Sequence, residues 1–359
     1  MEDLGKGIKA GKVAEPTGTK VAMIKQDILA KYPESLYLPI WLVKTNDTTY
    51  RRFNYDIDIK SKFDFGLVNL ASLIKDTIKP SLSSKVQRRT DIVVTIEESK
   101  FGEKGKSEIA EMEDGIDLPY LSRRIFDVVD NPFSAREYAN CAMKILETEI
   151  EIANLKSNFG FIVNEIATAY DKSKRDQEKS IFESLANDHR IILALSEDKK
   201  LGFKIPDKET IPISQYPNLY NSYLFDDLDV TTLNGLEEQI AKTIDEKENV
   251  IWWFRNKPNK NWYGVKGWRK GNIYPDFISA KKGTDGKLDL VYVIESKGEH
   301  LGGSEDTIYK KSVFKAINET NKQIISNNIS LVKFKVNDKF HFEVVDQEEV
   351  VARIGLLFA

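Results

Sequence analysis

Three side chains in this sequence are spaced to do chemistry together: Asp276, Glu295 and Lys297. Asp276 stands between Tyr274-Pro275 and Phe277-Ile278, and this aromatic and aliphatic company reads as a short strand. Residues 288–294, rich in Leu, Val, Ile and Tyr, read as a buried strand that runs into Glu295, Ser296, Lys297 and Gly298. Between them, residues 281–287 carry the Lys, Gly, Thr and Asp chemistry of a hairpin-like connection. Glu295 and Lys297 are next-but-one neighbours, so on a strand they point to the same face. Two carboxylates and an ammonium then meet at the mouth of an apolar sheet, where uncompensated charge is costly. A divalent cation compensates it. Mg²⁺ takes hard oxygen ligands, keeps several waters and needs only one or two carboxylates. In that arrangement a carboxylate grips the ion while the lysine holds or deprotonates an adjacent water. The bland alternative is a surface salt bridge at a strand end.

Two neighbouring stretches bear on the same chemistry. A helix is expected over residues 232–246, with Leu233, Leu236, Ile240 and Ile244 as its buried stripe. Glu237 leans toward that stripe, either as a further metal ligand or as a boundary-face glutamate beside Glu238. After a strand at 250–254, residues 255–274 carry Arg255, Lys257, Lys260, Lys266, Arg269 and Lys270 without one acid, interleaved with Trp262, Tyr263 and Trp268. Such cations supply phosphate affinity and such aromatic faces can stack on bases or sugars, although a solvated hairpin tip has the same composition. Beyond Lys297, Ser304 or Asp306 can cap a helix over 307–325, with Tyr309, Val313 and Ile317 inward and Lys310, Lys311 and Lys315 on its flanks. Strands at 331–336 and 340–345 follow. The order helix, strand, strand, strand, helix, strand, strand fits a small mixed sheet with helices on its faces.

The rest of the chain must position these residues. Its 359 residues, 41% of them hydrophobic, suffice for two or three domains. Charged residues make up 30%, but the net charge is only −3, so any basic surface must be local. Cys141 is the single cysteine, which excludes an internal disulfide and a thiolate zinc cluster; on its helical pattern it reads as a small core residue. His189, His300 and His341 show no paired metal-ligand spacing. The glycine-lysine run from Gly5 to Lys12 fails as a phosphate loop: its spacing is wrong, Val13 follows Lys12, and no strand precedes it. No apolar run approaches a membrane span and the N-terminus lacks signal-peptide order, so the expected compartment is cytoplasmic and no membrane partner is expected.

Four regions are expected. Residues 1–30 read as a flexible arm. Residues 31–115 read as a small strand-rich region, with strands between 37 and 58 and at 91–96, and Pro39 at a strand start or an edge. Residues 116–228 read as a mainly helical connecting domain, with helices at 119–129, 134–155 and 159–186, the last with one or more breaks. There Ile145, Ile150 and Ile152 fill a core, short strands lie at 189–195 and 201–205, and 206–229 is linker-like. Residues 229–359 form the domain that carries Asp276, Glu295 and Lys297.

Pro275, Asp276, Glu295, Ser296 and Lys297 resemble the PD-(D/E)xK nuclease motif. With Trp252, Trp253, Phe254, Arg255, Asn256, Gly267, Trp268 and Gly298 added, the C-terminal region looks like the endonuclease domain of type III restriction enzyme Res subunits. Residues Leu118 to Arg124 and Asn131, Pro132, Phe133 are similar to the region that joins motor to nuclease in those subunits, so the resemblance covers most of residues 35–345. It implies an α/β fold: a restriction-endonuclease-like mixed sheet flanked by helices, preceded by an α+β and helical region. It also implies Mg²⁺-dependent cleavage of double-stranded DNA, with Mn²⁺ as a substitute ion, in the bacterial cytoplasm beside a modification methyltransferase (Mod) subunit.

Family members carry an ATP-driven helicase motor, whereas this sequence has no phosphate loop and no Asp-Glu-x-His or Asp-Glu-Ala-Asp box. ATP is therefore expected only through a motor outside this chain, in a longer Res protein or in another polypeptide. By the resemblance, Asp276 and Glu295 bind the metal, and the backbone carbonyl of Ser296 adds a ligand. Lys297 positions the attacking water and stabilises charge in the transition state, and Glu237 matches the glutamate on the first helix of the fold. Two rivals are a non-catalytic DNA-binding or assembly module of nuclease shape, and a nuclease of the same fold acting in repair or against mobile elements.

Overall fold

The computed structural model describes residues 18–46, 49–84, 116–213, 220–228, 233–298, 303–326 and 339–359. The chain divides into two compact units: one comprises Met1–Asp58 with Phe182–Ala359, the other Ile59–Ile181. In chain order the strands are β1 (Thr19–Met23), β2 (Tyr37–Leu38), β3 (Ile40–Lys44), β4 (Tyr50–Arg52), β5 (Ile191–Ala194), β6 (Phe203–Lys204), β7 (Lys208–Pro212), β8 (Val250–Arg255), β9 (Val265–Lys266), β10 (Asn272–Ile273), β11 (Phe277–Lys282), β12 (Leu288–Lys297) and β13 (Phe340–Asp346). The α-helices are α1 (Gln26–Lys31), α2 (Tyr55–Asp58), α3 (Leu70–Leu73), α4 (Lys79–Ser84), α5 (Leu118–Val129), α6 (Pro132–Glu149), α7 (Ile152–Ser157), α8 (Phe159–Asn187), α9 (Gly235–Asp245), α10 (Glu305–Ser326) and α11 (Val350–Leu357). The fold is mixed α/β.

In the first unit, β13, β12, β11 and β8 lie side by side in that order. The pairs β8–β11 and β11–β12 are antiparallel, and β12–β13 is parallel. A parallel pair needs a crossover, and α10 lies in the connection between β12 and β13. Strand β12 is apolar on both faces, with Leu288, Val291, Tyr292, Val293 and Ile294 buried, because helices cover the sheet: α9 packs against β8 and α11, and α10 against β13. The β11–β12 hairpin turns where expected. Gly286 takes φ +75°, the left-handed conformation open to glycine, and Gly283 N–H donates to the Lys287 carbonyl at 2.8 Å. This is the expected mixed sheet flanked by helices.

The expected regional boundaries fall differently. Within the arm expected over residues 1–30, residues 19–23 form a strand: β1 pairs along its whole length with β7. Nor does 206–229 behave as a linker, since β7 lies in it and Tyr223, Leu224 and Phe225 are buried. Trp253 N–H donates to Ser222 O at 2.9 Å and Leu224 N–H to Trp253 O at 2.8 Å, which fastens that segment to β8. Its Pro, Asn and Asp content suggested a linker because composition does not report a distant pairing partner. At Pro39, which cannot donate to a ladder, the chain changes partners: β2 pairs with β6, and β3 with β4 and β5.

The second unit is helical. Asp117 caps α5 by accepting from Tyr120 N–H, the helix ends at Asp130 with φ +55°, and Asn131 caps α6 by accepting from Phe133 and Ser134 N–H. Leu121, Ile125, Ala135, Ala139, Ala142 and Leu146 pack with Ile162, Ile166 and Tyr170 of α8. These residues take the inner stripe of α6, so Cys141 is exposed rather than a core residue. The helix expected over 134–155 is two, broken between Glu149 and Ile152; Ile150 is buried at the break, Ile145 is half-buried and Ile152 is exposed. In contrast the breaks expected within 159–186 do not occur: α8 runs unbroken for 29 residues. The strands expected at 91–96 and 331–336, the run Gly5 to Lys12 and His300 lie outside the described residues.

Candidate metal and nucleic-acid site

The sheet register brings the predicted residues to one edge. Phe277 pairs with Ile294 on one side and with Arg255 on the other, so Asp276, Glu295 and Arg255 emerge beside one another. Buried Asn256 pins the turn before Asp276. Its Nδ2 donates to Pro275 O and Tyr263 O, each at 2.8 Å, and its Oδ1 accepts from Tyr263 N–H at 3.2 Å. Asp276 Oδ2 in turn accepts from Ser296 N–H at 2.8 Å and from Ser296 Oγ at 2.7 Å, which couples the two strand ends directly.

Glu295 is the most constrained group at this edge. It is 3% exposed, and its Oε1 accepts from both Lys297 Nζ at 2.7 Å and Lys310 Nζ at 2.8 Å. Its Oε2 is buried with no hydrogen-bond partner. Burial pushes the Glu295 carboxyl above the usual carboxylate range and the charge of Asp276 adds to this, against the pull of the two ammoniums. Lys310 also meets Asp306 at 3.0 Å. Burial works against its ammonium, but the bonds to Glu295 and Asp306 hold its pKa above the ordinary lysine value.

Glu237 faces the same cleft from the first turn of α9. It forms a capping box: its Oε2 accepts from Asn234 N–H, and Asn234 Oδ1 accepts from Glu237 N–H, both at 3.0 Å. Its other oxygen pairs with Arg255 Nη2. Asn234, Leu236, Glu237, Asp276, Glu295, Ser296, Lys297, Gly298 and Gln347 line an open cleft of about 500 Å³.

A hard divalent cation fits part of this donor set. The unpartnered Glu295 Oε2 is an oxygen ligand without a proton donor, and Asp276 lies beside it on the same cleft. Two carboxylates suit an ion that retains its waters. Among the described residues no cluster of three or more His, Cys, Asp or Glu side chains is arranged to hold a metal.

The cation-rich window is arranged differently from an exposed binding loop. Arg255 pairs with Glu237 and lies 3.3 Å from Asp276, both of which line the cleft. Lys257 pairs with buried Glu209 and lies 5.8 Å over the Trp262 ring. Lys266 donates to the Lys270 carbonyl at 2.8 Å, and burial lowers its pKa. Arg269 stacks 4.3 Å over Tyr309 and reaches Glu305 at 3.3 Å. Trp268 is buried edge-on against Tyr309 and near Phe182, and Trp262 and Tyr263 are buried as well. These aromatic faces pack the core and leave no open ring for a base. Lys260 and Lys270 remain exposed.

Sequence reasoning missed Asn256, Lys310 and Asp306. Lys310 was placed on a helix flank, and only its spacing from Asp306 by one helical turn hinted at a paired charge. Comparison with protein-family models, curated proteins and solved structures found no match to this chain.

Proposed function

We propose that this chain is a Mg²⁺-dependent endonuclease that hydrolyses DNA phosphodiester bonds, the cleavage portion of a type III restriction-like system. The observation that carries this reading is the meeting of Asp276, Glu295 and Lys297 at one sheet edge, on an open cleft, with one buried carboxylate oxygen unpartnered. Asp276 and Glu295 would hold the ion, with the Ser296 carbonyl as a further candidate. When bound, the ion supplies Lewis-acid polarisation of the phosphate and a more acidic water.

The chain's own residues do the rest. Ser296 fixes the rotamer of Asp276 through two hydrogen bonds. Lys297 offers the ammonium that orients water and meets charge developing on the phosphate. Lys310 bonds the same Glu295 oxygen, so Glu295 stays compensated when Lys297 turns to substrate.

Double-stranded DNA, a Mod-type methyltransferase and a separate ATP-driven motor are the partners we propose, in a bacterial cytoplasm. No described helix is long and apolar enough to cross a membrane. One observation favours a second reading, a non-catalytic DNA-binding or assembly module: Arg255, Lys297 and Lys310 already pair with Glu237, Asp276 and Glu295.

Plasmid nicking separates the two. Asp276→Asn and Lys297→Ala should each lower Mg²⁺-dependent nicking about 100-fold or more while circular dichroism stays native. Equal nicking by wild type and both variants would overturn the proposal.

A further inference from the structure

We infer that the cleft takes one divalent cation, because the guanidinium of Arg255 occupies the position between Glu237 and Asp276 that a second ion would need. This rests on the cation-binding reading above and specifies it. Arg255 is the last residue of β8, and its side chain is 18% exposed. Nη2 pairs with Glu237 Oε1, and Nη1 lies 3.3 Å from Asp276 Oδ1. Nη1 also donates to the Asn256 carbonyl at 2.6 Å and the Asp276 carbonyl at 3.1 Å, and the guanidinium lies 5.6 Å over the Phe277 ring.

A guanidinium keeps its charge at all accessible pH values and its planar fork is fixed by these acceptors, so it behaves as a built-in cation. Glu237 has no oxygen left over: one meets Arg255 and the other is in the capping box. Glu295 differs, with Oε2 unpartnered. The carboxylates thus differ: Glu237 and Asp276 both meet the Arg255 guanidinium, whereas Glu295 keeps one oxygen, Oε2, for the single added ion, which Asp276 would reach from beside it.

The sequence placed Arg255 among DNA contacts because it opens a cationic run. The structure assigns it instead a positioning role, holding Glu237 and Asp276 in place of a metal.

The test is the number of Mn²⁺ ions bound per full-length chain, read by electron paramagnetic resonance titration without DNA. Wild type should bind one. Arg255→Met, which keeps bulk and removes charge, should bind two, because Glu237 and Asp276 then face each other uncompensated. Adding Glu237→Gln to that variant should return the number to one, and Arg255→Lys should also bind one. A merely structural arginine would lower Mn²⁺ binding when removed rather than double it. Two ions in wild type, or one in a folded Arg255→Met, would overturn this inference while leaving the nuclease reading standing; no ion in wild type would overturn both. If Arg255→Met fails to fold, the wild-type number still decides.

Discussion

Glu295 has two ammoniums on one oxygen and nothing on the other, and its burial raises its pKa. The ionised form is the one that binds a cation. Since its pKa lies above the ordinary value of about 4.3, acidification should protonate it earlier than a solvated glutamate. Mn²⁺ affinity measured against pH should therefore begin to fall above that ordinary range, and Glu295→Gln should remove this early fall along with most of the affinity. An acid limb at the ordinary carboxylate value would contradict this. Lys310→Ala should lower nicking by about 10-fold to 100-fold, the usual effect of losing a group that supports a metal ligand, and Lys310→Arg should restore part of it.

At this scale Glu295 and Lys297 were legible as a pair because strand alternation fixes which side chains share a face, whereas Asp276, expected on a strand, stands in the bend just before β11. Lys310 and Arg255 were not. Helical periodicity fixes rotation loosely, and a count of cations says nothing of which carboxylate each one meets.

Among the elements, the junction of β8 with the turn before β11 matters most, since it sets where Asp276 emerges. Asn256 there is 1% exposed and makes three hydrogen bonds with its side chain, two to carbonyls of Tyr263 and Pro275 and one from Tyr263 N–H. Asn256→Ala should cost about 3 kcal/mol in denaturant unfolding, because those buried groups lose their partners. Asn256→Asp should not rescue it, since a carboxylate cannot donate to either carbonyl. A loss under about 1 kcal/mol would show that the turn is held by other contacts.

The hairpin β11–β12 and helices α5, α9 and α10 could be read in the sequence, because turn residues and apolar period are local signals. The pairing of β1 with β7 and the bridging of residues 220–228 to β8 could not, because they join segments far apart in the chain.

For the whole molecule, charge is nearly balanced and many of the cations of residues 255–274 are engaged within the protein. Each phosphate neutralised contributes about −0.9 to the slope of log affinity against log salt on duplex DNA. With Lys260 and Lys270 as the exposed cations of this window, the slope for the chain alone should be shallower than about −4, and affinity at physiological salt weak. A steep slope, near −8, would locate a basic surface elsewhere.

The fold class was legible as alternating helix and strand signals. The division into units was not, since one unit is assembled from two stretches separated by residues 59–181, and continuity along the chain suggests nothing of the kind.

The central claim is that Asp276 and Glu295 together grip a cation where Lys297 can meet a phosphate. Anomalous diffraction from crystals soaked in Mn²⁺ with a DNA duplex tests it most directly. The account predicts a peak within ligand distance of both carboxylates, about 2.0–2.4 Å, facing a phosphate oxygen. A cleft empty of anomalous signal at saturating Mn²⁺, or a peak held by residues other than these two, would contradict it.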